Sequence, residues 1–400
     1  MHEIAPALII ALVMPSVCLY FQIHQPVRLR RYSVFDTASQ YFDNTLNAQI
    51  VQKVAARCYI PALTRLLDNV RAHAGRFKFA VSITGTAVEQ FEQHAPQVMH
   101  LLHALAATRC VEFLGETYYH SLACVYSHQE FKEQVDLHRQ MLKRLFGITP
   151  RTFRNTELIY SNDIAHLAAG LKYDVILTEG WAPALSNRPS SFVFQPPLDH
   201  IRVLLRNHIL SDALAFHFGD VNYPEHPLTP EKFARMCASI GGQVCNLFMD
   251  FETFGEHYAA DTGILDFLAD LPAKTLAAHA DFRTPAECAD HLGLAGELDV
   301  PHAISWADQA RDLSAWLGNA MQANALQELF KLERVVKAKH DPVLLGDWRR
   351  LTTSDHAYYM STKHLADGAV HDYFSPYESP YDAYINFMNV LDHLKSRATR

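Results

Sequence analysis

Seven short runs of apolar, β-branched and aromatic residues recur along the first 250 residues, at 17–23, 77–83, 110–114, 152–156, 174–178, 202–206 and 244–249. Several are apolar without alternation, so such strands must be covered on both faces. Between them lie stretches with apolar residues three to four apart (49–73, 86–107, 127–146 and 160–170), the pattern of amphipathic helices. Strand, helix, strand repeats restrict a chain to a parallel α/β sheet or barrel. Seven units predict an incomplete (β/α)7 barrel of the TIM type, with a doubly wound open sheet as the alternative. No glycine-rich GxGxxG turn follows the first run, so no dinucleotide cradle is expected. Beyond about residue 300 helical patterns dominate, at 308–338, 342–352 and 380–397. A single core usually stops growing near 250 to 300 residues. The expected division is therefore a barrel over 1–300, with 1–13 set apart from it, and a C-terminal α-helical bundle over 301–400 that completes the active site.

Charge and cysteine usage narrow the function classes. The chain has 43 acidic and 35 basic residues, a net charge of −8, and its one dense basic tract is RLRRY at 28–32. A nucleic-acid partner is not expected on that balance, and a neutral substrate fits better. Seven cysteines without a CxxC pair, mostly inside apolar runs, read as reduced, buried thiols. The N-terminal stretch MHEIAPALIIALVMPSVC lacks a basic leader and carries Glu3, and its apolar part is shorter than the roughly 20 residues a membrane span needs. A cytoplasmic protein with no membrane partner is expected, with Met14 as a candidate start.

Four of the apolar runs end in carboxylates or histidines: LYFQIHQP (19–26), VEFLGETYYHS (111–121), FRNTELIYS (153–161) and NLFMDFETFGEH (246–257). Burying a charge costs several kcal/mol unless it is paired or used, and ligands in parallel α/β folds meet the carboxyl ends of the strands. One shared site, and an enzyme, are therefore expected. Strand alternation would place Asn155 and Glu157 on one face, next to Arg154, and Asp250 and Glu252 on one face of the last run. Glu157 and Asp250 on separate strands make the two-carboxylate arrangement that glycosidic cleavage requires. His24, Glu116 and His120 read as lining, and the two histidines with Asp250 as an alternative metal set. Trp181, just past the fifth run, reads as a sugar-stacking residue. Asp312, Trp316 and Asn319, three or four apart, would share a helical face, with Trp316 either a stacking platform or core. The tyrosine-rich stretch 371–384 reads as helix packing and capping.

The order HQP, GETYYHS, RNTELIY, MDFETFGEH and DLSAWLGN, followed by SPYESPYDAYINFMNVL, resembles glycoside hydrolase family 57, and within it the α-amylase group. The resemblance spans roughly residues 14 to 390. It implies an incomplete seven-fold barrel followed by a helical bundle, acting on α-1,4-glucans or maltooligosaccharides with retention of configuration, without a cofactor or a metal. Residue by residue, it puts Glu157 on the family's nucleophile and Asp250 on its general acid/base. His24, Glu116 and His120 fall on regions that line the family's site, and Asp312 and Trp316 on a region carried by the helical domain. Three alternatives stand beside this reading: a 4-α-glucanotransferase on the same site, a metal-dependent carbohydrate hydrolase, and a glucan-binding protein of low turnover.

Overall fold

The computed structural model of the protein describes residues 14–363 and 375–400. The readings made of residues 1–13, and of the first part of the tyrosine-rich stretch, lie outside the described residues. All seven expected runs are strands: β1 (Ser16–Ile23), β2 (Phe79–Ile83), β3 (Val111–Phe113), β4 (Thr152–Arg154), β5 (Val175–Glu179), β7 (Arg202–Arg206) and β8 (Val244–Asp250). Two short strands were not expected, β6 (Val193–Gln195) and β9 (Leu294–Glu297). At three or four residues each, they are too brief to show a period in sequence.

The strands form a four-stranded sheet, β3-β2-β1-β8, and a five-stranded sheet, β4-β5-β7-β6-β9, parallel throughout except for β6 against β7. The longest pairing runs from Ser16 opposite Val244 to Gln22 opposite Asp250. Helices connect most of the parallel neighbours, as crossovers of this kind demand. Two seams join the sheets. At one, Gly115 donates to the Thr152 carbonyl and Arg154 to the Gly115 carbonyl, both at 2.8 Å. At the other, Asn207 donates to the Asn246 carbonyl at 2.8 Å, and the Asn246 side chain to the Leu205 carbonyl at 2.9 Å.

Alternation along each strand sorts the side chains. Val17, Leu19, Phe21 and Ile23 of β1 and Cys245, Leu247 and Met249 of β8 pack under the surrounding helices. Cys18, Tyr20, Val244 and Phe248 join Ala80, Leu114, Leu177 and Leu204 in a separate inner cluster. The same period carries Gln22 and Asp250 onto that inner side, at the carboxyl ends of their strands.

Past β9 the chain is helical, including Ala320–Lys331, Pro342–Leu351, Ser354–Tyr358 and Pro380–Thr399. Trp348, Phe387 and Leu391 from these helices share one apolar cluster with Phe131, Phe153 and Ile176. That cluster holds the C-terminal helices against the β4–β5 side of the molecule. The expected single helix face of Asp312, Trp316 and Asn319 does not form. The helix there is only Ser314–Leu317; Asp312 precedes it and accepts from the Ser314 N–H at 2.8 Å, and Asn319 caps the next helix. The physical reason is capping competition: Asp and Asn side chains bind backbone N–H groups and break one helical pattern into two.

Candidate active site

The structure brings Glu157, His120, Glu116, Arg154, His24 and Asp250 to the carboxyl ends of β1, β3, β4 and β8, where the sequence pattern placed them. How they meet differs from simple alternation. β4 ends at Arg154, and Glu157 sits in a tight turn, Thr156–Leu158, with φ of +56°. A left-handed conformation is unusual for a side chain of this kind, and such strain collects at functional sites. Asn155 is not beside Glu157 on one face. Its amide is used inside the turn, donating to the Ile159 carbonyl at 2.9 Å. The second expected pairing fails likewise, because β8 ends at Asp250 and the chain turns at Phe251–Thr253 before Glu252 is reached.

Three donors converge on the Glu157 carboxylate. His120 Nε2 is 3.1 Å from Oε1, the Ser354 hydroxyl donates to the same oxygen at 3.1 Å, and the Trp306 indole N–H donates to Oε2 at 2.9 Å. Burial works to raise this carboxyl, but the His120 bond and charge, the Arg154 charge and the Trp306 bond outweigh it and hold it down to about 2. The side chain nonetheless keeps 19% of its surface exposed, so the charged group faces an opening. His120 is pushed up to about 9 because its bonds to Glu116 and Glu157 overcome burial. Its other ring nitrogen, Nδ1, faces the Glu116 carboxylate at 3.6 Å, with the Gln22 amide 3.3 Å away.

Asp250 has the opposite character. Burial first, and then the charge of Glu157, push its carboxyl up to about 6. Glu252 is driven up to about 8 by burial and by Asp250, and accepts a bond from the Tyr59 hydroxyl, which in turn accepts from Gln25. The surroundings thus pull the Glu157 and Asp250 carboxyls in opposite directions.

Glu116 is fully buried, accepts from the Ser82 hydroxyl and stands 3.6 Å from His120 Nδ1 and 4.0 Å from Arg154. Arg154 is also fully buried, with Nε and one terminal nitrogen lacking a protein partner. Both residues are therefore shielded from solvent, unlike Glu157. His24 stacks on His120 with centroids 4.1 Å apart, and donates from Nε2 to Asp355 at 2.9 Å. Burial and the His120 charge lower His24, while Asp355 is held well below the usual carboxylate range by the histidines, against its burial.

Among the described residues, His24, His120 and Asp355 bring potential metal-ligand atoms within 4.8 Å of one another. Asp355, not the expected Asp250, completes this group. The fit to a metal is poor: both His24 nitrogens are engaged, by Thr84 at 3.0 Å and by Asp355, and His120 is flanked by two carboxylates that favour its protonated form. Metal ligation requires neutral imidazole.

The helical contribution expected from Asp312 and Trp316 comes from other residues. Asp312 is exposed and bound to Ser314, while Trp316 is 1% exposed, packed in the core, with no face to offer a sugar. Trp181 is half-buried against the same core cluster. Trp306, Ser354 and Asp355 are the residues of this region that reach Glu157 and His24. None of the three ends an apolar run, and Ser354 and Asp355 open a five-residue helix, so no sequence signal short of their contacts marks them.

Fold and site together define a parallel α/β protein with two carboxyl groups at its strand ends, one held low and the other raised. The chain belongs to glycosyl hydrolase family 57, whose model matches residues 18–301. It is 39% identical over 386 residues, 93% of its length, to a protein of Methanocaldococcus jannaschii named "Putative alpha-amylase", of which the match covers 82%. Among solved structures, the GH57-type branching enzyme of Pyrococcus horikoshii is similar with a TM-score of 0.68 at 13% identity, covering 95% of this chain and 88% of that one. The 4-alpha-glucanotransferase of Thermococcus litoralis matches 86% of this chain with a TM-score of 0.56 and 14% identity; this chain spans 50% of its length.

Proposed function

We propose that this protein is a retaining α-glucan-active glycoside hydrolase, α-amylase-like, with Glu157 as nucleophile and Asp250 as general acid/base. One observation carries the proposal: Glu157 is held down to about 2 while Asp250, within reach of its charge, is pushed up to about 6. Glu157 attacks the anomeric carbon as Asp250 gives its proton to the departing glycosidic oxygen. Water then attacks the glycosyl carbon, its proton passes to Asp250, and the carboxylate of Glu157 is restored. Retention requires the two carboxyl groups about 5 to 5.5 Å apart. His120, Glu116 and Arg154 hold the charge balance around the pair, and His24 lines the site. The substrate is a neutral α-glucan or maltooligosaccharide, in keeping with the printed name of the archaeal relative.

The two sheets, joined at their seams, fit an incomplete (β/α)7 barrel over the described residues up to 300. The helical region 301–400 serves as a second unit that shares a core with the barrel and supplies Ser354 and Asp355 to its mouth. No helix among the described residues is long and apolar enough to cross a membrane, and a cytoplasmic location is part of the same reading. The test is covalent trapping. Incubation with 5-fluoro-α-glucosyl fluoride, followed by peptide mass analysis, should place one sugar on Glu157; a protein that turns over the sugar without acquiring the label, or carries it elsewhere, overturns the assignment. Products from maltooligosaccharide then separate hydrolysis from transfer, since a transferase also makes longer chains.

A further inference from the structure

The two oxygens of Glu157 are not equivalent. Oε1 takes two donors, His120 and Ser354, which occupy both of its lone-pair directions; Oε2 takes one, the Trp306 indole, and keeps the other open. Trp306 is itself fixed on every side. Its backbone N–H donates to the Glu157 carbonyl at 3.2 Å, and its carbonyl accepts from Arg311. The guanidinium groups of Arg154 and Arg206 lie 5.4 and 5.7 Å from the ring centroid, within cation–π range. Two cations over the ring draw electron density from it and make its N–H a better donor.

We infer that Oε2 is the oxygen that bonds the sugar, and that Trp306 is a positioning residue acting on the release of the sugar from Glu157. This rests on the reading of Glu157 as nucleophile. In the first half-reaction a C1–Oε2 bond forms while the C1–oxygen bond of the glucan breaks and the Asp250 proton goes to the departing oxygen. In the second, an oxygen of water bonds C1, the C1–Oε2 electron pair returns to the carboxylate, and the water proton goes to Asp250. An N–H donor binds a carboxylate oxygen more strongly than the bridging oxygen of an ester. The Trp306 bond therefore weakens as the sugar attaches and strengthens as it leaves. It opposes the first step slightly and assists the second. Oε1 becomes the ester carbonyl, which still accepts from its donors, so the Ser354 bond changes less between the two states than the Trp306 bond does.

The experiment compares Trp306→Phe, which keeps the ring and removes the N–H, with Ser354→Ala, using 4-nitrophenyl α-maltoside in rapid mixing. For Trp306→Phe, kcat falls ten- to a hundredfold, the worth of one hydrogen bond to a charged group. KM falls in parallel, kcat/KM is held within about threefold, and a nitrophenolate burst appears with the glycosyl-enzyme mass on the quenched protein. Ser354→Ala lowers kcat several-fold less than Trp306→Phe does, with a correspondingly smaller burst. A Trp306→Phe enzyme whose kcat/KM falls as far as kcat, with no burst, overturns the inference. If that variant does not fold, the unmutated protein gives the answer by NMR: the Trp306 indole proton moves upfield when 5-fluoro-α-glucosyl fluoride labels Glu157. A resonance that stays in place with Glu157 labelled removes the role of Trp306 alone. Absence of label on a Glu157 that turns over substrate removes the nucleophile assignment, and the inference with it.

Discussion

Replacing His120 by Gln removes the one cation that, among the described residues, touches the Glu157 carboxylate directly, and its effect follows from the site's geometry. Glu157 stands at about 2 against an ordinary 4.5, a difference worth about 3 kcal/mol that His120 shares with Arg154, Ser354 and Trp306. A hydrogen bond to a charged partner contributes about 1.5 to 3 kcal/mol, so loss of His120 should return Glu157 upward by about 1 to 2 pH units. His120 also lowers Asp250, so that group rises from about 6 as well. Both limbs of the kcat/KM profile on a maltooligosaccharide should therefore move to higher pH, the acid limb from about 2 to between 3 and 4, the alkaline limb above 6. Mere structural damage lowers the profile without moving it.

Stability gives a second readout of the same substitution. The depressed Glu157 stabilises the fold fully above its unfolded value of about 4.3 and loses that contribution as pH falls toward about 2. The raised His120 contributes fully below about 6.5 and loses its share as pH rises through about 9. The gap in melting temperature between the unmutated protein and His120→Gln should be widest between about pH 4.5 and 6.5. Limbs that stay in place, or a gap independent of pH, would refute the reasoning.

Three further outcomes are expected. Activity of the unmutated protein should fall as pH rises through about 6, because Asp250 must start protonated; a rate still rising to pH 8 would remove it as the acid. Glu252, raised to about 8, is held neutral at pH 7, where the unfolded chain would ionise it, so Glu252→Gln should raise stability there by about 2 to 4 kcal/mol relative to its effect at pH 4. Since a raised carboxyl loses its contribution as pH climbs from about 4.3 to 8, the variant should also show a flatter denaturation midpoint over that range, and a steeper one would contradict the shift. Trp316→Ala should cost about 3 to 5 kcal/mol by chemical denaturation, as for any large buried ring, while the folded fraction still accepts the Glu157 label. Loss of labelling without loss of stability would return Trp316 to the site.

The strands and their polar ends were legible in sequence because each is a local pattern: a run of Val, Leu and Phe buried on both faces, stopped by His24-Gln25-Pro26 or by Asp250. Glu157 and Asp250 were recognisable for the same reason, as charges that follow apolar runs. What alternation could not supply was the path after each strand, since Glu157 and Glu252 both lie in tight turns that reset the period of two. β6 and β9 were too short to carry a pattern. The DLSAWLGN segment misled because helical spacing was read through two caps, so that Trp316, a core residue, stood in for the real contributors.

The sequence by itself determined the class of fold, the positions where charge meets buried strand, and the family, because hydrophobic period and motif order are properties of neighbours along the chain. Tertiary structure alone decided which carboxyl is held low and which is pushed up. That difference is made by groups distant in sequence: His120, Trp306 and Ser354 around Glu157, and Glu157 itself beside Asp250. A protonation state depends on burial and on charges a few ångströms away, and no spacing along the chain encodes either.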